Sequence, residues 1–186
     1  MRLSRIIAEV DKQINTPIVA VKFGLAERYY ENAETFFPGI VSERGEVINC
    51  FLQDTSPLTY YHRQVRGVMR ELNREDYGDK SDKVIEVNEM ELVAFATDIN
   101  FTPLQVCDVF IAAIPSYLSK SVCESIGIEG CRIIVTGYDA DPVKIWREET
   151  SEPKVRAGLN KALIKVRYTL ECTYRRGCID PCEKCS

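Results

Sequence analysis

The chain has 186 residues, 45% of them hydrophobic and 28% charged, with 24 basic against 28 acidic side chains and 8 cysteines. That mixture is too apolar for a disordered chain and too poor in glycine and proline for a fibrous or linker-like one, and the length suffices for a real hydrophobic core. No run of about 18 apolar residues is present to span a bilayer, and a formal net charge of −4 argues against general nucleic-acid binding.

The opening residues mix charges into every turn, unlike the unbroken apolar segment of a signal peptide. A cytoplasmic location is therefore expected, with thiols reduced or metal-bound rather than paired as disulfides. In residues 3–15, Leu3, Ile6, Ile7, Val10 and Ile14 recur at helical spacing and predict an amphipathic helix. Residues 18–23 form a nearly continuous apolar run of the kind found in strands covered on both faces. A mixed segment, 25–37, predicts a helix stopped by Pro38-Gly39, and 47–52 a second buried strand. Ser56-Pro57 reads as an N-cap and first helical position, opening a helix over 57–73. A polar loop (74–83) and a third strand (84–87) follow. Residues 88–100 fit either a capped helix or the extension of a hairpin.

The run Asp108-Val-Phe-Ile-Ala-Ala-Ile-Pro115 predicts a strand, Ser116 to Ile126 a helix ended by Gly127, and 131–137 another strand, together a βαβ unit. The competing reading starts a helix at Thr102-Pro103 with Gln105 in its third position. The run Cys107 to Ser116 resembles the strands of Rossmann-type nucleotide- or CoA-binding domains, although no G-x-G-x-x-G or G-x-x-x-x-G-K-[ST] is present. Asp141-Pro142 starts a short helix, and Glu152-Pro153 the last and longest one, reaching residue 176. The expected fold is thus a three-layer α/β domain of about five mostly parallel strands with flanking helices. It occupies residues 1–150, and residues 151–186 add a C-terminal helix with a cysteine-rich tail.

That tail carries Cys172, Cys178, Cys182 and Cys185 in the spacing C-x5-C-x3-C-x2-C. Thiolates are soft ligands for Zn²⁺ or iron–sulfur clusters, and Gly177 and Pro181 supply turns between them. Four consecutive, crowded cysteines favour a [4Fe–4S] cluster over zinc, whose sites usually pair two separated knuckles. The last three share the C-x3-C-x2-C spacing of radical S-adenosylmethionine enzymes; the similarity is confined to that spacing, because in that family the motif precedes most of the catalytic domain. Cys50, Cys107, Cys123 and Cys131 stand in apolar contexts and read as core residues, with Cys50 as the reserve nucleophile.

On the expected 57–73 helix, Arg63, Arg66 and Arg70 share one side, a row that suits phosphates or carboxylates. Seven basic residues and one acid, Glu171, make the last helix basic as well. His62, the single histidine, reads first as a packed, hydrogen-bonded structural residue and second as a candidate acid or base. Lys22 reads either as an anion or Schiff-base site or as a strand-end lysine reaching water. Asp139, beside Ser56 and Ser116, is placed at the expected carboxyl edge of the sheet, where α/β domains bind ligands; Asp141 reads as the cap of the Pro142 helix. Together these features lead to the expectation of a metal-binding protein in redox or cofactor metabolism, whose status as an enzyme and whose substrate stay open. The alternative is a non-enzymatic interaction or regulatory module with a structural zinc clip and basic docking helices. An unknown small anionic ligand or a protein is the expected partner, homo-oligomerisation fits, and no membrane is involved.

Overall fold

The computed structural model describes residues 2–50, 57–71, 83–96, 102–151 and 162–175. In chain order these form α1 (Arg2–Gln13), β1 (Ala20–Leu25), β2 (Glu27–Tyr30), β3 (Phe36–Val41), β4 (Val47–Asn49), β5 (Leu58–Glu71) and β6 (Lys83–Ala96). They continue with α2 (Pro103–Ala113), β7 (Tyr117–Leu118), α3 (Lys120–Ser125), β8 (Gly130–Asp139), α4 (Pro142–Glu149) and β9 (Ala162–Arg175). Six strands make one curled sheet in the order β1-β5-β6-β9-β8-β7, and β2-β3-β4 make a second, antiparallel one. Only β1 and β5 run parallel; every other pairing in both sheets is antiparallel.

Strand alternation divides the large sheet into two faces. One carries Tyr60, His62, Met90, Leu92, Ile164, Val166, Tyr168, Leu170 and Cys172, and α1, α2 and α3 cover it to form the main core. The amphipathic α1 lays Ile6, Ile7 and Val10 on this face, each at most 1% exposed. The other face carries Tyr61, Val93, Phe95 and Leu163, covered by Ile145 and Trp146 of α4 together with Ala26, Ile40 and Cys50 from the region of the small sheet. Gly24, at the register shift between Lys22 and Leu25 inside β1, has a φ of +71° that few other residues adopt, and the chain passes to the small sheet after Leu25. Farther along β5, β6, β8 and β9 this second face carries Arg66, Glu89 and Arg132, all exposed to solvent.

The parallel three-layer α/β expectation is therefore overturned: the molecule is mostly β, with antiparallel ladders at its centre. Residues 58–71 form β5 and not a helix. Leu58, Tyr61, Val65 and Met69 fit helical spacing, but the aromatic and β-branched content favours a strand, and thirteen register pairs with β6 outweigh any local preference. Residues 25–37 hold β2 and the start of β3, with Tyr29 stacked on Phe37, instead of a helix. Residues 88–96 simply continue β6. The expected strand 108–114 is the body and cap of α2, because Thr102 and Gln105 satisfy each other's backbone N–H groups in a complete capping box and Pro103 occupies the first turn. That removes both the βαβ unit and the Rossmann resemblance; β8 follows α3 but runs antiparallel to both neighbours. The predicted last helix is replaced over its described part by β9, which lies between β6 and β8. Residues 162–175, beyond the boundary expected at residue 150, thus form a central strand of the large sheet. The expectations for α1, for strands near 18–23 and 131–137 and for the Asp141-capped helix correspond to α1, β1, β8 and α4. No described helix is long and apolar enough to cross a membrane.

Candidate functional site

Lys165 points to the face covered by α4 and is only 1% exposed. Its Nζ lies 2.9 Å from Glu149 Oε1, 2.7 Å from Glu148 Oε2 and 3.3 Å from Glu91 Oε2. Arg63 Nη1 stands 3.0 Å from Glu149 Oε1, its Nη2 donates to Glu91, and the Tyr61 hydroxyl donates to Glu149 Oε2 at 2.8 Å. Glu148 and Glu149 come from the last turn of α4, where the helix dipole favours nearby cations. Burial disfavours the charged forms of Lys165 and Arg63, but the surrounding glutamates outweigh it and hold both pKa values above the ordinary ones. The hydrogen bond from Lys165 holds Glu148 below the usual carboxylate range. Asp139 is likewise held low by Lys144 and by the Asp141 N–H.

Beside this cluster the sheet bends. In β5 the extra residue Val65 separates Gln64, paired with Met90, from Arg66, paired with Glu89. In β8 the extra residue Thr136 separates Val135, paired with Tyr168, from Gly137, paired with Arg167. Met90 and Tyr168 are themselves partners across β6 and β9, so both bulges flank one transverse row of the sheet. Bulges sharpen local twist and bend the strand that carries them. On the face opposite the main core, the bend forms a groove of about 270 Å³ lined by Val65, Glu89, Glu91, Thr136, Arg167 and Thr169, with Met90 and Tyr168 as its floor. A cleft of about 480 Å³ continues past Val65 along Ala26, Arg28, Arg63 and Gln64.

No protein-family model matches the chain, and no curated protein is similar to it. Glu91 belongs to the ion cluster, whereas Arg167 is half-exposed: its Nη2 is 3.6 Å from Asp139 Oδ2 and its Nε 4.0 Å from Glu91 Oε1, both too long for hydrogen bonds. Arg167 thus offers its guanidinium donors to the groove.

The residues singled out in sequence are dispersed. His62 is fully buried between Asp11 (Nε2–Oδ1 2.9 Å) and the Tyr168 hydroxyl (Nδ1–O 2.6 Å), which fits Nε2–H donating to the carboxylate and Nδ1 accepting from tyrosine. Burial raises the Tyr168 pKa well above the ordinary value, keeping its proton in place. Lys22 Nζ reaches back to the carbonyls of Asp11 and Ile14 at the end of α1. Cys50, just beyond β4, is fully buried, and burial pushes its pKa up to about 12, so it stays a thiol at neutral pH. Asp141 caps α4 through the N–H groups of Val143 and Lys144. Asp139 ends β8, whereas Ser116 precedes β7 at the other end of that strand, and Ser56 lies outside the described residues. An antiparallel sheet has no single carboxyl edge to gather such residues.

Arg63, Arg66 and Arg70 do share a side, but of a strand: the bulge at Val65 keeps all three opposite odd-numbered residues of β6 (Glu91, Glu89, Ile85). Arg63 is taken up by the ion cluster, while Arg66 and Arg70 are exposed. Cys172 faces the main core with its Sγ 3.4 Å from that of Cys131, directly across the β8–β9 ladder. Cys178, Cys182 and Cys185 lie outside the described residues. Among the described residues, no three histidine, cysteine, aspartate or glutamate side chains are grouped to hold a metal ion. The sequence alone assigns no site role to Glu91, Glu149, Thr136 or Arg167. The signal for Lys165 and Arg167 is the strict polar–apolar alternation from Ile164 to Tyr174.

Proposed function

We propose that this protein is a binding module for a small molecule bearing an anionic group, seated in the groove between the two bulges. The observation that carries this reading is the coincidence of both bulges on the Met90–Tyr168 row, which opens a groove beside a half-exposed, underused arginine. The guanidinium of Arg167 is suited to bidentate capture of an anion, Thr136 and Thr169 supply neutral hydroxyls, and the buried cluster behind them holds the wall rigid. The test is thermal unfolding in the presence of small carboxylates, amino acids and phosphate esters at millimolar concentration. At least one class should raise the midpoint of the native chain and leave that of Arg167→Ala unmoved. No shift with any class, or equal shifts in the variant, overturns the reading.

A second reading, the metal centre in redox or cofactor metabolism, is supported by the spacing of the C-terminal cysteines. Because the Cys172 thiol stands against Cys131, such a centre would draw on Cys178, Cys182 and Cys185 ahead of Cys172. Anaerobic purification with metal analysis tests it: about four irons per chain indicate a cluster, a single zinc indicates a clip, and absence of metal refutes it.

A further inference from the structure

Resting on the groove reading, we propose that the molecule it binds is a free amino acid, or one with the same adjacent ammonium and carboxylate groups. Arg167 and Glu89 occupy neighbouring strands, one row apart: Arg167 pairs with Glu91, and Glu89 with Thr169. Such diagonal neighbours have their Cβ atoms about 7 Å apart, leaving room for a small bridging molecule. They do not meet each other. Arg167 leans towards Asp139 and Glu91, and Glu89 is exposed and forms no ion pair with any described residue.

The remaining charges select among ligands. Glu91 is neutralised by Arg63 and Lys165, and Asp139, beside the groove, by Lys144; Glu89 is the groove carboxylate that forms no ion pair with a described residue, its cross-strand neighbour Arg66 standing outside the groove lining. A simple carboxylate on Arg167 would face the unpaired carboxylate of Glu89. A phosphate dianion would set a second negative charge against Glu89, with Arg167, among the described residues, as the one cation lining the groove to receive it. A zwitterion satisfies both ends: its carboxylate receives the guanidinium donors, aided by the hydroxyls of Thr136 or Thr169, and its ammonium donates to Glu89. A volume of about 270 Å³ accommodates a residue-sized molecule.

Calorimetric titration of the full chain with each L-amino acid, its carboxamide and its N-acetyl derivative separates the possibilities. At least one free amino acid should bind, and blocking either end should weaken it roughly tenfold or more, the loss expected for one charged hydrogen bond. Glu89→Gln, an exposed substitution that leaves the fold intact, should weaken the free amino acid by a similar factor and leave the N-acetyl derivative unaffected. If N-acetyl derivatives bind as tightly as free amino acids, the zwitterion assignment falls while the anion site stands. Binding of no form overturns both.

Discussion

Lys165 is where most of the buried charge converges. Three carboxylates lie within 3.3 Å of its ammonium, and Arg63 shares two of them. Removing one partner of such a group leaves the others buried without compensation, a cost of about 3–5 kcal/mol. Lys165→Met should therefore lower the denaturant midpoint by that equivalent, whereas Arg167→Ala, half-exposed and loosely paired, should change stability little. Glu148 of this cluster and the nearby Asp139, paired with Lys144, set an acid limit. The folded pKa values of Glu148 and Asp139 lie below their ordinary values of 4.5 and 3.8. The stability they contribute is present above those ordinary values and is lost as pH falls through the depressed folded ones. Chemical denaturation should show a plateau above about pH 5 and a decline in acid; stability rising on acidification would contradict the assignment. His62 belongs to the same scale: His62→Phe strips Asp11 and Tyr168 of their partner and should cost about 1–3 kcal/mol, as expected for unsatisfied buried groups.

At the scale of elements, the bulge in β5 is pinned by Gln64, whose Nε2 donates to Asn88 Oδ1 at 2.6 Å. Gly67 is the space that permits it: a Cβ there would come within 2.7 Å of Gln64 Nε2 and 2.9 Å of Asn88 Oδ1. Gly67→Ala should break this contact, cost about 1 kcal/mol and shift the amide resonances of Gln64 to Arg66; unchanged resonances would show that the bulge does not depend on it. Elements differ in how legible they were. The spacing of α1 and the capping box of α2 are written in local residues. β9 was legible through its alternation, with Ile164, Val166, Tyr168, Leu170, Cys172 and Tyr174 inward on the core face, but its basic side chains also suited a helix. For β5 the two periods genuinely compete, since Leu58, Tyr61, Val65 and Met69 satisfy a helical face, while in the strand Leu58 shares the main-core face with Tyr60 and Tyr61 takes the other. Pairing with β6 across the sheet decides between them, and pairing is not a local property.

At the scale of the whole molecule, the large sheet separates two chemistries. Its helix-covered face is a closed core that encloses the Asp11–His62–Tyr168 chain and the Cys131–Cys172 pair, and burial raises the pKa of Cys107 there to about 11. Cys50, Cys107, Cys123, Cys131 and Cys172 are all buried, so native-state alkylation followed by peptide mapping should leave all five unmodified until the protein unfolds. The opposite face holds the ion cluster and the groove. None of that site could be read along the chain: Val65 and Thr136 are ordinary residues until the ladder shows them to be insertions beside the same row. Arg167 becomes available only because Lys165, two positions earlier, already occupies the acids. Amide chemical-shift mapping of the full chain during titration with a mixture of L-amino acids tests the groove most directly. Saturable shifts should concentrate at Val65, Glu89, Thr136, Arg167 and Thr169; shifts scattered over the surface, or none at millimolar ligand, would contradict it.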